Sequence, residues 1–367
     1  MKKIYQNITV LILILLLSAC SNTTARVQRT IPAAADSTPS FIVEPLKIQT
    51  TAFPELAEVE IQEIILPVPY DSAEMEYSGM AWLGDTLVLL PQYPKRLRAD
   101  GSGRLITISK ADVLDYISAG KKDPIAVGTL TFDDGGLSET LAGFEGFEAI
   151  AFSGRQVFVT IETRGGSPMM GYLACGTFDS DARSIKLDPE KLAPLVPQTS
   201  FNNASDEGLF VFGESVFTIF EDNGQAVNPN AFARSFDLSL LPKAELDFPA
   251  IEFRVTDASD ALSDGTFWVM NYFYPGDTHL KAMVDAISEK YGEGSSHKRS
   301  DRVERIIKLA VDKDRIVLVD EPPVYLQLTD DSSSRNWEGL ARLDDLGFLA
   351  VTDSYPRTIF GFIPDLR

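Results

Sequence analysis

The segment Asp206-Glu207-Gly208-Leu209-Phe210 opens a short apolar run, Gly213-Glu214 turns the chain, and Val216 to Phe220 follows as a second apolar run. Both runs are rich in β-branched and aromatic residues, which suit a pleated, half-buried surface. A Gly-acid pair between them supplies the positive φ of a tight hairpin. Four other segments share the plan: Tyr77-Ser78-Gly79-Met80-Ala81-Trp82, Phe147-Glu148-Ala149-Ile150-Ala151-Phe152, Ser259-Asp260-Ala261-Leu262 and Trp337-Glu338-Gly339-Leu340-Ala341. Each is followed by a turn (Gly84-Asp85, Ser153-Gly154-Arg155, Ser263-Asp264-Gly265, Asp344 to Gly347) and then by a second strand. Those strands are Leu87 to Leu90, Val157 to Ile161, Phe267 to Met270 and Phe348 to Thr352.

Further strand-like runs flank the hairpins. Ile61 to Val68, Ile125 to Phe132, Ile185 to Val196, Leu246 to Val255 and Ile316 to Leu328 precede the five openings. Arg104 to Ile108, Met170 to Phe178, Phe232 to Leu238, Val303 to Ala310 and Thr358 to Ile363 follow the hairpins. The chain is therefore expected to be all-β, a β-propeller of five four-stranded blades over residues 56–367, with a sixth, degenerate blade left open. The openings lie 70, 59, 53 and 78 residues apart, long for such repeats. Two insertions take up the excess: Lys110 to Lys122, with Val113, Leu114 and Ile117 at helical spacing, and His279 to Tyr291, read as an amphipathic helix through Leu280, Met283, Val284 and Ile287. A β-sandwich is the structural alternative, but it leaves the recurring Glu-Gly openings unexplained.

These openings, with the strand-end acids Thr160-Ile161-Glu162 and Val351-Thr352-Asp353-Ser354, resemble the phytase-like (esterase-like) propeller family. The resemblance implies a secreted propeller, often calcium-binding, with esterase or phosphoesterase chemistry. Ser78 and Asp260-Ala261 depart from the Glu-Gly pattern.

In a propeller whose first strand runs down the channel, strand-one openings and strand-two ends share one face. That face collects Glu148, Glu207, Asp260 and Glu338 from openings and Glu162, Glu221, Asp222, Asn271 and Asp353 from ends. Carboxylates so crowded repel unless a cation neutralises them. Oxygen-only ligands favour Ca²⁺. Glu148, Glu207 and Glu338, then Glu162, Glu221 and Asp353, are the candidate metal ligands. Equally, such side chains can cap backbone N–H groups between blades with no metal. Arg164, Arg357, Lys95 and Arg96 are the candidate substrate-binding cations, able to fork onto a phosphoester, or simply to pair with neighbouring acids. Trp337 and Tyr93 can stack on a ligand or anchor blades.

Composition narrows the classes. The 367 residues carry 33 Lys+Arg against 53 Asp+Glu, a net charge of −20, which argues against nucleic acid as a partner. Two Cys and two His cannot build a Cys₄ zinc site or an iron–sulfur cluster. No nucleophile elbow, P-loop or dinucleotide fingerprint is present.

At the N-terminus, Lys2-Lys3, the apolar run Ile8 to Leu17 and Leu17-Ser18-Ala19-Cys20 resemble a bacterial lipoprotein signal over residues 1–20. The run is short for a membrane span. Cys20 is then the lipidated residue, and the chain sits in the cell envelope, held to the membrane through its anchor alone. Ser21, rather than Asp, favours the outer membrane in a Gram-negative source. Residues 21–55, rich in Ser, Thr, Ala and Pro, read as a flexible tether. Cys175, left as a lone thiol, reads as a buried core residue.

The leading expectation is a monomeric, calcium-dependent hydrolase of a small phosphoester or ester. The alternative is a non-catalytic propeller that binds a ligand or protein, and a lactonase-like propeller is the third reading.

Overall fold

The computed structural model describes residues 55–97, 102–164, 169–201 and 203–366. The signal segment, Cys20 and residues 21–54 of the tether lie outside the described residues. Glu55 forms an isolated parallel bridge with Glu293.

The chain is all-β in architecture. Five antiparallel meanders begin on Tyr77–Leu83, Phe144–Ser153, Asp206–Phe212, Arg254–Ala258 and Trp337–Leu343. The turns form where the sequence places them. Gly154 and Gly213 take φ of 58° and 59° with open space around them, so glycine serves the backbone there rather than close packing.

The first strands pack on one another in chain order, and the fifth returns to the first. Each neighbouring pair of meanders shares its own apolar cluster. Leu90 and Val88 meet Phe147 and Val159 between the first and second. Ala149 and Phe158 meet Leu209 and Val216 between the second and third, where the free thiol Cys175 is also buried. Phe210 and Ile219 meet Val255 and Val269 next, with Phe210 stacked on Phe267 at 4.2 Å between ring centroids. Met270 and Trp268 meet Leu340 and Phe348. Leu349 and Val351 of the fifth meander meet Met80 and Leu89 of the first. A two-layer sandwich has one such interface; here there are five in a cycle.

The flanking strands belong to other partners than the sequence suggested. Gly128–Asp133, expected to lead into the second opening, is the outer strand of the first meander, with Gly103 opposite Phe132. Ser184–Leu195 and Pro242–Asp247 likewise finish the second and third. The fifth meander is completed from the other end of the chain: Gln62–Glu63 pairs antiparallel with Phe360–Pro364, Gln62 opposite Phe362.

The insertions differ. Lys110–Ala119 is a helix, capped by Ser109 and ended by Gly120 at φ 56°, and it buries Val113 and Tyr116. The second insertion holds only a short 3₁₀ turn, Thr278–Leu280, and a helix at Ala286–Tyr291. Leu280 and Ile287 are buried, but Met283 is 99% exposed and Val284 half exposed, so the four do not form one packed helical face.

One irregularity recurs in all five meanders. The register between first and second strands slips by one residue at Ser78, Glu148, Glu207, Thr256 and Glu338. A bulge of this kind breaks the alternation of side chains and re-aims the extra one. In the fourth meander the bulge is at Thr256, so its opening is Val255-Thr256-Asp257 and not Asp260-Ala261. Asp260 lies past the strand's end, partly buried, and accepts the backbone N–H of Trp82.

The position after the bulge is tight. A Cβ on Gly339 would stand 2.6 Å from Val351 Cγ1, and one on Gly208 would stand 2.9 Å from Ile219 Cβ. Where the fourth meander has Asp257 instead, the carboxylate reaches its neighbours. It accepts Leu340 N–H at 2.7 Å, Ala258 N–H at 2.8 Å and the Met80 N–H, so it ties the fourth first strand to the fifth and the first. Replacing Asp257 by Ala leaves those buried donors unpaired, at about 1–3 kcal/mol each. The Asp257→Ala protein is expected to unfold at a clearly lower guanidinium concentration than wild type; an unchanged midpoint would refute the tie.

Candidate functional site

The bulges bring Ser78, Glu148, Glu207 and Glu338 to one cavity of about 450 Å³. Glu162 and Asp353 join them from the second strands, as the shared-face geometry requires. Eight of the lining residues are acids and one, Arg254, is basic. The fifth bulge residue, Thr256, donates to Trp337 O at 2.5 Å, and Ser78 makes the equivalent bond to Phe147 O, also at 2.5 Å. Both hydroxyls thus hold the residue just before a neighbouring Glu of the site.

Arg254 was not singled out in the sequence, where it sits inside a flanking run. It opens the fourth first strand and puts its Nη1 2.5 Å from Glu221 Oε2 and its Nε 3.1 Å from Asp277 Oδ2. Burial pulls its pKa down, but Glu221, Glu207, Asp277 and Asp222 outweigh that and hold it well above the ordinary range. Glu221 stands behind the cavity, bonded also to Ser205 N–H at 3.2 Å. Tyr272 lines the wall, and burial first, then Glu338, keep its hydroxyl protonated. Tyr274 and Tyr355, about half exposed, stand at the mouth.

None of the four expected substrate cations is in the cavity lining. Arg164 is next to it, with Nη2 2.5 Å from Asn203 Oδ1 and 4.0 Å from Glu162, both lining residues. The other three are engaged elsewhere. Arg357 forks onto Glu63 at 2.6 and 2.7 Å and so clamps the strand that closes the ring. Lys95 binds Asp134 at 2.9 Å and Glu139 at 2.5 Å. Arg96 pairs with Glu76 and lies 3.7 Å above the Tyr93 ring. Trp337 is fully buried, its indole N–H donating to Glu304 at 2.7 Å, so it anchors and does not stack on a ligand. The histidines stand apart from the cavity lining: the His279 ring packs tilted against Phe201, and His297 is held by Glu58 at 2.8 Å.

Burial dominates the acids of the cavity. It pushes Glu148 well above the carboxylate range, and the neighbouring Glu162 adds to the push. Glu162 itself rises to about 7, through burial, against the pull of Arg164 and the Ser205 hydroxyl. Glu207 and Glu338 are likewise driven well up, by burial and then by other carboxylates. Burial lifts Glu221 to about 8 despite Arg254. Glu207 Oε2 is buried with no hydrogen-bond partner.

Calcium needs six to eight oxygens at 2.3–2.6 Å. Among the described residues no three Asp, Glu, His or Cys side chains converge closely enough to hold a metal ion.

No family model matches the chain, and no curated protein matches it. Solved structures similar to it include a glycosyl hydrolase from Bacteroides ovatus, at 7% identity over 86% of this chain and 97% of that one, TM-score 0.44. A second comes from the GH130 family of mannoside phosphorylases, containing glycoside hydrolases that target β-1,2 mannosidic linkages in Candida mannan. It shows 10% identity over 85% and 95% of the two chains, TM-score 0.44. A third is the catalytic domain of a Coprinopsis cinerea GH62 α-L-arabinofuranosidase, at 8% identity over 84% and 97%, TM-score 0.41. At these TM-scores the likeness assigns no activity to this chain. The phytase-like resemblance is corrected: the short Glu-Gly motifs match no family model, and the similar structures named are glycosidases. The phosphoester reading has a physical objection as well. Eight acids around one arginine, itself paired, repel a phosphate.

The raised carboxyls fix a pH dependence. Their protonated forms are favoured in the folded state, so their stabilisation is fully present below the unfolded value near 4.5. It is lost as pH rises through the folded values of about 7 for Glu162 and about 8 for Glu221. The melting temperature is expected to fall between pH 5.5 and 9. For Glu162 the shift from 4.5 to about 7 corresponds to ~3 kcal/mol, shared with Glu148. Glu162→Gln is expected to melt higher than wild type at pH 9 and to match it near pH 5. A melting temperature flat across this range would contradict the assigned shifts.

Proposed function

We propose that the chain is a five-bladed propeller that hydrolyses glycosidic bonds, with Glu148 and Glu162 as its acid–base pair. The five meanders, the cycle of five apolar interfaces and the strand carried over from Gln62–Glu63 support the blade count. One observation carries the chemistry: two adjacent carboxyls, on the first and second strands of one meander, share a polar cavity in which burial holds at least one proton at neutral pH.

Glycoside hydrolysis needs one carboxyl protonated and one ionised at the same pH. A pKa near 7 suits a group that must both give and take a proton. The protonated carboxyl donates to the glycosidic oxygen as the C–O bond breaks. The ionised partner removes a proton from the incoming water, whose oxygen bonds the sugar carbon. Asn203, held by Arg164 from outside the lining, and Gln92, which donates to Glu148 at 3.3 Å, orient the hydroxyl-rich substrate. The cavity volume lies within the usual range for small-ligand pockets, about 300–1,000 Å³. The partner on this reading is a small carbohydrate, and Leu17-Ser18-Ala19-Cys20 supports a lipid-held place for the enzyme in the cell envelope.

The test is a panel of aryl glycosides and short oligosaccharides, assayed in excess chelator. Turnover of at least one member is expected, falling ~10²–10⁴-fold in Glu162→Gln with the fold intact. Absence of turnover on every glycoside would leave a non-catalytic binding propeller. Turnover that requires added calcium would overturn the metal-free pair.

A further inference from the structure

The acids of the cavity divide by what already neutralises them. Arg254 is committed to Glu221 and Asp277, Glu76 is paired with Arg96, and Arg164 stands near Glu162. Glu207 and Glu338, from the third and fifth meanders, form no close ion pair among the described residues, and Arg254 acts on both only at longer range. Glu207 is more than nine-tenths buried, lines the cavity, and keeps Oε2 without a hydrogen-bond partner. That atom is an acceptor removed from water with nothing offered in return, an unfavourable state that a donor would relieve.

We propose that the ligand carries a primary ammonium group, seated between Glu207 and Glu338, so that the substrate is an amino sugar with its amine free. This rests on the glycoside reading for the sugar part; the ammonium part stands on the unpaired carboxyls. An ammonium is a compact charge with three donors, able to bridge two carboxylates, and Glu338 stands near enough to Glu207 to repel it. The exposed rings of Tyr274 and Tyr355 at the mouth add faces that attract a cation on its way in. Binding converts both carboxyls to their ionised forms, so it releases protons to the buffer.

Calorimetry of the full chain at pH 6.5 with glucosamine, glucose and N-acetylglucosamine tests this, since the three share a ring and only the first is cationic. Glucosamine is expected to bind at least tenfold more tightly than the others, with an enthalpy that changes with the buffer's ionisation heat. Glu207→Gln, and Glu338→Gln as a second variant should the first not fold, is expected to erase that preference. Glucosamine no better than glucose would overturn the proposal, as would a preference unchanged in both variants. The two readings fail separately. Glucosamine preference without turnover of any glycoside sinks the hydrolase and keeps the ammonium site. Turnover of neutral glycosides without that preference does the reverse. A calcium-selective response with none to glucosamine would make the same carboxyls a metal site and overturn the proposal.

Discussion

The one-residue slip between first and second strands inserts Ser78, Glu148, Glu207, Thr256 and Glu338 out of the normal alternation of each meander. Everything characteristic of the site follows from what occupies those five positions. Where the residue is a hydroxyl, it ties one meander to the backbone of the next, first to second and fourth to fifth. Where it is a glutamate, a carboxyl is delivered to the cavity. The same register slip therefore serves as fastening at two positions and as chemistry at three.

The ring stays intact although burial of several carboxyls opposes it. Burying ionised acids without partners is costly enough that the protein keeps protons on them instead. Arg254 relieves part of the crowding by pairing behind the cavity with Glu221. Asp257 goes further and spends its carboxylate on backbone N–H groups of two neighbouring strands. The apolar clusters between meanders supply the stabilisation that lets the axial face remain unfavourable in this way. Sites that store such tension are where chemistry is usually found.

Four of the five openings were legible in the sequence because Ser78-Gly79, Glu148-Ala149, Glu207-Gly208 and Glu338-Gly339 put a polar residue before a small one, and the small residue is what the crowded position after the bulge accepts. That of the fourth meander was read four residues late. Asp260-Ala261 looks like an acid–small pair, whereas the true position holds Thr256 followed by Asp257, a pair whose role depends on strands far away in sequence. Arg254 was hidden for the same reason: nothing local distinguishes a buried cation at a strand start from an edge arginine. Helical spacing misled at Met283 and Val284, since periodicity says nothing of whether a surface exists to receive the face. Arg357, Lys95 and Arg96 looked available because their acidic partners, Glu63, Asp134, Glu139 and Glu76, come to them only through the fold.

Gln62–Glu63 completes the sheet that ends on Phe360–Pro364, with Arg357 forked onto Glu63 beside it. During synthesis, residue 62 leaves the ribosome some three hundred residues before its partner exists. The first four meanders can collapse as they emerge, each on the one before. The final interface, between Leu349 and Val351 on one side and Met80 and Leu89 on the other, must wait for the fifth meander. Until then the first meander presents an uncovered apolar flank and an unclaimed strand, both of which invite pairing with other chains. Closure of the ring is thus a late event, possible only once Phe360–Pro364 has been made and can take up Gln62–Glu63.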